Sequence, residues 1–250
     1  QHDRDRPREL EIVLGEPATF RGPSAGLGIE MWRGATAAFD EANDAGGVNG
    51  RKIRLVVADD AYDAEKAGPA ALKLITQDHV LALFGGVGTP TIVRVLPIVR
   101  RYYDESGLFY FANFTGAQPQ RTGPNAKVVF NVRASYYEEI AAMVDAFIAS
   151  GRKKIGTFVQ DDAYGTDGHE GAVRALKAHG LSVIGEARYP RGQQDGRQFE
   201  ELGGRGTRPR PRPDRRGAGR AQPVQGPDGA GDRGRAENGN LARTDYPAGI

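Results

Sequence analysis

The residues best suited to hold an anion are Thr89 and Thr91, which follow the glycine-rich run Gly85-Gly86-Val87-Gly88. Residues 80–84 before it form an unbroken apolar run, the pattern of a parallel strand covered on both faces. The glycines permit a tight turn and close approach of a ligand to the backbone. Pro90 suits the first position of a helix, which is expected to continue to about Tyr103. A helix that starts at the carboxyl end of a parallel strand offers free N–H groups and the positive end of its macrodipole to a carboxylate. Two roles stay open for Thr89: contact with such a carboxylate, or capping of its own helix. A second loop, residues 112–117, leaves the strand at 108–111 on the same edge and should lie beside the first. Its exposed backbone and Thr115 could bind a small polar head group, or it could be a plain connection.

Other chemistry is harder to assemble. Asp59 and Asp60 are adjacent carboxylates that could act as acid and base or hold a metal, yet no third ligand is spaced for it. A loop cap or a solvated pair is the expected role. His2, His79, His169 and His179 are scattered, and His169 and His179 lie too far apart for a zinc pair on one helix turn. No Gly-x-Ser-x-Gly elbow supplies a serine nucleophile. The loop at residues 22–28 lacks the lysine of a phosphate loop and the glycine spacing of a dinucleotide site. With no cysteine, disulfides and thiolate chemistry are excluded. Hydroxyls, aromatics and a helix start are binding equipment, so the chain reads as non-enzymatic, with no cofactor and no metal.

The elements that must position these groups alternate strand and helix. Strands are expected at 11–15, 54–58, 80–84, 108–111, 128–132, 154–160 and 181–187. Helices are expected after residue 28, with Ile29, Trp32, Ala35, Phe39 and Ala42 on one face, and over 63–77 with Pro69 inside. Further helices carry Ile140, Met143, Val144 and Phe147, or begin at Asp167 with Glu170 as a capping box and end near His179. Asn49-Gly50 suits a tight reversal. This is α/β with parallel sheets in two lobes. Residues 1–120 form the first lobe, 118–127 cross over, and 121–202 form a partial second lobe. The 250 residues carry a net charge of +2, but residues 203–250 hold ten Arg against five acidic residues, so the rest is mildly acidic and the basic total does not point to nucleic acid. That tail, rich in Arg, Gly and Pro without Lys, is expected to be disordered. Its composition is that of a GC-rich coding sequence read out of register. No apolar run reaches the length of a membrane span, and the first ten residues are polar.

Several stretches together resemble a known family. Leu27-Gly28-Ile29-Glu30, the run from Ala45 to Ile53, Asp59-Asp60 with Tyr62-Asp63, the loop at 84–91, Phe114-Thr115-Gly116-Ala117, Phe130-Asn131-Val132-Arg133 and Gln160-Asp161-Asp162-Ala163-Tyr164-Gly165 are similar, in order, to the type I periplasmic substrate-binding proteins of ABC importers, the leucine/isoleucine/valine-binding family. The resemblance covers about residues 10–200. It implies a periplasmic or otherwise extracytoplasmic, monomeric, two-lobed receptor that closes on a branched-chain or related amino acid or amide and hands it to a membrane permease. Thr89, Phe114 and Gly116, with Thr115 between, match positions that hold the ligand's carboxylate and amino group. Ser135 and Tyr136 match the start of the second lobe, and Tyr164 matches an aromatic that packs on the ligand. The later second-lobe loops of the family have no match here, so the second lobe is expected to be incomplete and binding of leucine weak. A sensor of the same fold is an alternative role, and an NAD(P)-linked enzyme a more distant one.

Overall fold

The computed structural model describes residues 11–191; the tail at 203–250 and the start of the chain lie outside the described residues. The strands β1 (Glu11–Ala18), β2 (Lys52–Asp59), β3 (Ala82–Phe84), β4 (Phe109–Phe111) and β5 (Val129–Phe130) make one sheet in the order β2-β1-β3-β4-β5. Every neighbouring pair is parallel. Parallel strands need crossovers, and the helices α1 (Ala25–Asp44), α2 (Ala64–Thr76) and α3 (Thr89–Ser106) provide them. A second sheet holds β6 (Thr157–Gln160) and β7 (Glu186–Tyr189), also parallel, with α4 (Tyr136–Ala149) and α5 (Ala163–Ala178) packed together beside it. The alternating pattern expected from the sequence is therefore present on both sides of the crossing.

The first sheet is held by an apolar core between it and helices α2 and α3. Leu74, Leu83 and Val99 are fully buried there, with Ile92, Val95 and Tyr110 almost so. Local signals fix the helix ends. The Asp63 carboxylate accepts the Glu65 amide at the start of α2, and Ser135 and Glu138 form a complete capping box at α4. The reversal at Asn49 and Gly50 has both residues in the left-handed region, with Val48 and Arg51 bridged across it.

Four expectations shift. The strand at 128–132 was expected to open the second lobe, but Val129 and Phe130 pair with β4 and close the first sheet. The crossing at 118–127 instead winds as two short 3-10 turns, Gln118–Gln120 and Gly123–Lys127, ahead of that edge strand. Helix α5 begins one turn earlier than Asp167: its cap is Asp162, whose carboxylate accepts the Tyr164 and Gly165 amides. Asp167 is instead buried inside the helix and accepts the Gln118 amide at 3.0 Å, tying α5 to the first unit. The last strand lies at Glu186–Tyr189 and not at 181–187, because its register is set by pairing with β6 residue for residue.

Asp162→Ala is expected to lower stability by about 1–2 kcal/mol through loss of the α5 cap. Urea unfolding followed by circular dichroism measures this, and an unchanged midpoint would contradict the assignment.

Candidate functional site

The loops that leave β3 and β4 meet as the sequence suggests. The Phe114 amide donates to the Gly86 carbonyl at 2.7 Å, and Val87 and Phe114 form a further parallel bridge. The cap of α3 is not Thr89, however. Gly88 occupies that position with φ of 104°, and no side chain caps the helix. A side chain at residue 88 is excluded twice, by that dihedral and by the Tyr62 ring, which a β-carbon would overlap. Tyr62 is itself left-handed, at φ of 58°, which brings its ring onto the start of α3.

Thr89 is buried, and its hydroxyl lies 2.6 Å from that of Thr115, which is also buried. Thr115 in turn donates to the Tyr136 hydroxyl at 3.3 Å and accepts the Ala117 amide at 3.2 Å. Thr91 turns back onto its own helix start, donating to the carbonyls of Val87 and Gly88. The Ser135 hydroxyl is engaged with Glu138. Gly116 accepts the Tyr136 amide at 2.8 Å, and its lack of a side chain lets the Tyr136 ring sit directly on it. Thr89, Thr115, Gly116 and Tyr136 are thus brought together across the two units, while Thr91 and Ser135 serve helix starts.

In front of this cluster lies a cavity of about 600 Å³. Of the sequence-derived candidates, Phe114, Tyr136 and Tyr164 line it; Thr89, Thr91, Thr115, Gly116 and Ser135 are not among its lining residues. Phe114 and Tyr164 remain about two-fifths exposed, and the Tyr136 and Tyr164 rings meet edge to face at 5.4 Å. Burial raises the Tyr164 phenol above its usual range.

Among the lining side chains that were not singled out from the sequence are Tyr62, Arg133 and Arg191. Arg133 lies over both Phe114 and Tyr136, at 5.4 and 5.2 Å from the ring centres, and is paired with Glu139. Arg191, beyond β7, lies 3.3 Å from the centre of the Tyr62 ring and 3.1 Å from Asp162. Tyr62 and Arg133 occupy loops at the carboxyl ends of β2 and β5, and that position was the readable signal.

Of the two expected roles, the paired acids take that of loop caps and not that of a solvated pair. Asp59 accepts the amides of Phe20 and Ala61 and pairs with Arg21. Asp60 is buried; one oxygen accepts the Tyr62 amide at 2.8 Å and the other has no partner among the described residues. Burial pushes its carboxyl up to about 7, against the opposing pull of the Tyr62 amide. Glu16, on β1, is wholly buried with neither oxygen partnered among the described residues, and burial pushes it up to about 8. His169 and His179 are apart as expected, His169 beside Thr157 and Glu186 and His179 beside Asp145.

Two parallel sheets flank one aromatic-lined cavity, which runs from the loops after β3, β4 and β5 along β6 and onto α4. Residues 11–199 match the family described as periplasmic binding protein, and the chain belongs to that family. It is 29% identical over 187 residues to an amino acid binding protein of Pseudomonas aeruginosa, an alignment covering 74% of this chain and 48% of that one. It is 30% identical over 193 residues to Leu/Ile/Val-binding protein homolog 7 of Brucella melitensis, covering 74% and 47%. Among solved structures, a possible leucine/isoleucine/valine-binding protein from Rhodopirellula baltica superposes with a TM-score of 0.71 at 35% identity, covering 80% of this chain and 54% of that one. A substrate-binding periplasmic protein from Ralstonia solanacearum gives 0.70 at 32% identity, covering 77% and 53%. The chain spans about half the length of the curated relatives it matches.

The buried Glu16 carboxyl makes stability depend on pH. Its folded value of about 8 lies above the ordinary 4.5, so the protonated form is favoured on folding. Its stabilising effect is complete below about pH 4.5 and is lost as pH rises towards 8, at up to ~1.4 kcal/mol per pH unit. Glu16→Gln, which cannot ionise, is expected to flatten the fall in urea-measured stability between pH 5 and 8. An unchanged slope would contradict the assignment.

Proposed function

We propose that the chain forms the ligand cleft of an extracytoplasmic solute receptor, which binds a small carboxylate-bearing metabolite and releases it unchanged to a membrane permease. The observation that carries this reading is the shared cavity, with Phe114 on one wall and Tyr136 and Tyr164 on the other. A cavity of this size takes a solute of amino-acid dimensions. Rings on both walls bury its apolar part, each offering a large contact area for little lost side-chain freedom. The first turn of α3, whose leading N–H groups have no intrahelical acceptor, begins next to Gly88 and Val87 in the lining. The hydroxyl set of Thr89, Thr115 and Tyr136 supports that turn from behind and holds the Tyr136 ring in place.

The relatives named for amino acids and for Leu/Ile/Val make branched-chain and related amino acids or amides the first class to examine. We place the crossing between lobes at residues 131–135, after the last strand of the first sheet. Closure of the two lobes would then bring Tyr164 onto a solute already seated against Phe114, which supplies the differential contact that closure requires.

A thermal-shift screen of small carboxylates, amino acids and amides at millimolar concentration, followed by calorimetry, tests the reading. At least one solute is expected to raise the melting temperature, and Tyr164→Ala to weaken it about tenfold, ~1.4 kcal/mol. An affinity unchanged by Tyr164→Ala would contradict a ligand held between the two walls.

A further inference from the structure

We propose that Tyr62, Arg191 and Asp162 form a latch that joins the two units at the end of the cleft remote from the crossing. Its part in closing on a solute rests on the receptor reading above, while the latch itself needs no solute. The sheet order places the two joints at opposite edges. The crossing leaves from β5, one edge strand of the first sheet, whereas Tyr62 follows β2, the other edge strand. Arg191 follows β7 in the second unit, and its guanidinium lies 3.3 Å from the centre of the Tyr62 ring. The same guanidinium reaches Asp162 at 3.1 Å.

Each member is fixed by its own unit. Tyr62 is left-handed, at φ of 58°, its amide is held by Asp60 at 2.8 Å, and its ring lies on Gly88 at the start of α3. Asp162 caps α5 through the Tyr164 and Gly165 amides and also accepts from the Gln160 side chain. Arg191 stands just beyond Tyr189, whose carbonyl accepts the Asp161 amide at 2.8 Å and whose ring stacks on Phe158 at 4.8 Å. A planar guanidinium laid on a ring and paired with a carboxylate combines two contacts that arginine is built to make. Rotation about the crossing separates the far edge most. A small opening therefore breaks the stack on Tyr62 while the Tyr136–Gly116 contact, next to the crossing, changes little. The latch weights the population towards the arrangement in which Phe114 and Tyr164 face one cavity. It also ties that arrangement to both walls, since Tyr62 touches the α3 start and Asp162 holds the Tyr164 amide.

The chain has no cysteine, so cysteines introduced in place of the exposed Lys66 on α2 and Lys177 on α5 carry one spin label on each unit. Pulsed electron paramagnetic resonance on the full 250-residue chain, without solute, reads their separation. One main distance is expected in the labelled parent. Arg191→Gln removes the cation, and Tyr62→Asn removes the ring with a residue that tolerates the left-handed backbone. Each is expected to broaden the distribution or add a second population, and the double variant to go no further than the single ones. Every variant is first checked for an unchanged circular dichroism spectrum, and where one fails to fold the other carries the test. A distribution unchanged in a folded variant, or a double variant that shifts it by the sum of the two, overturns the latch and leaves the receptor reading standing. Distances that shift as expected beside a silent solute screen support the latch and remove the receptor reading.

Discussion

The site depends on one close approach, that of the Tyr136 ring onto Gly116. The contact exists because residue 116 has no side chain and because its carbonyl accepts the Tyr136 amide. Tyr136 is also the first residue of α4, so the same contact fixes where the second unit begins relative to the loop that leaves β4. The Tyr136 hydroxyl then meets Thr115, and Thr115 meets Thr89 at the first turn of α3. Each neutral hydrogen bond is worth only about 1 kcal/mol net. Their buried setting makes the cost of breaking one larger, since an orphaned hydroxyl loses its hydration without replacement. The two walls are therefore referenced to each other through a short set of hydroxyls, those of Thr89 and Thr115 buried.

Around that reference the cavity combines apolar rings with cations. Arg133 belongs to both: its guanidinium lies over the faces of Phe114 and Tyr136, where the ring quadrupoles favour a cation, while Glu139 holds it from the other side. Glu16 and Asp60 are two buried carboxyls of the first unit with oxygens unpartnered among the described residues, and burial raises both above the usual carboxylate range.

Much of this was legible in the sequence because it is local. The strand inside the apolar run before Gly85 and the Asn49-Gly50 reversal each depend on a few neighbouring residues, and the structure has both, the strand shortened to Ala82–Phe84. The meeting of the loops after β3 and β4 was legible too, since parallel strands put their carboxyl ends on one edge. What failed was non-local. Thr89 has the chemistry of a cap, but Gly88 takes that place and the threonine hydroxyl is drawn to Thr115, twenty-six residues on. Asp167 with Glu170 fits a capping motif by spacing, yet Asp162 caps the helix and Asp167 reaches the Gln118 amide across the crossing. Val129 and Phe130 looked like a fresh start, and their pairing with β4 follows from the sheet edge available to them. The roles of Arg133 and Arg191 rest on aromatic faces contributed from other elements, which no local pattern records.

Hydrogen exchange with and without a saturating solute tests the shared cleft most directly. The account predicts slowed exchange in both walls together, in residues 85–91 and 112–117 of the first unit and in residues 161–166 of the second, with the far ends of both sheets unchanged. Slowing confined to one unit, or centred away from these loops, would contradict it.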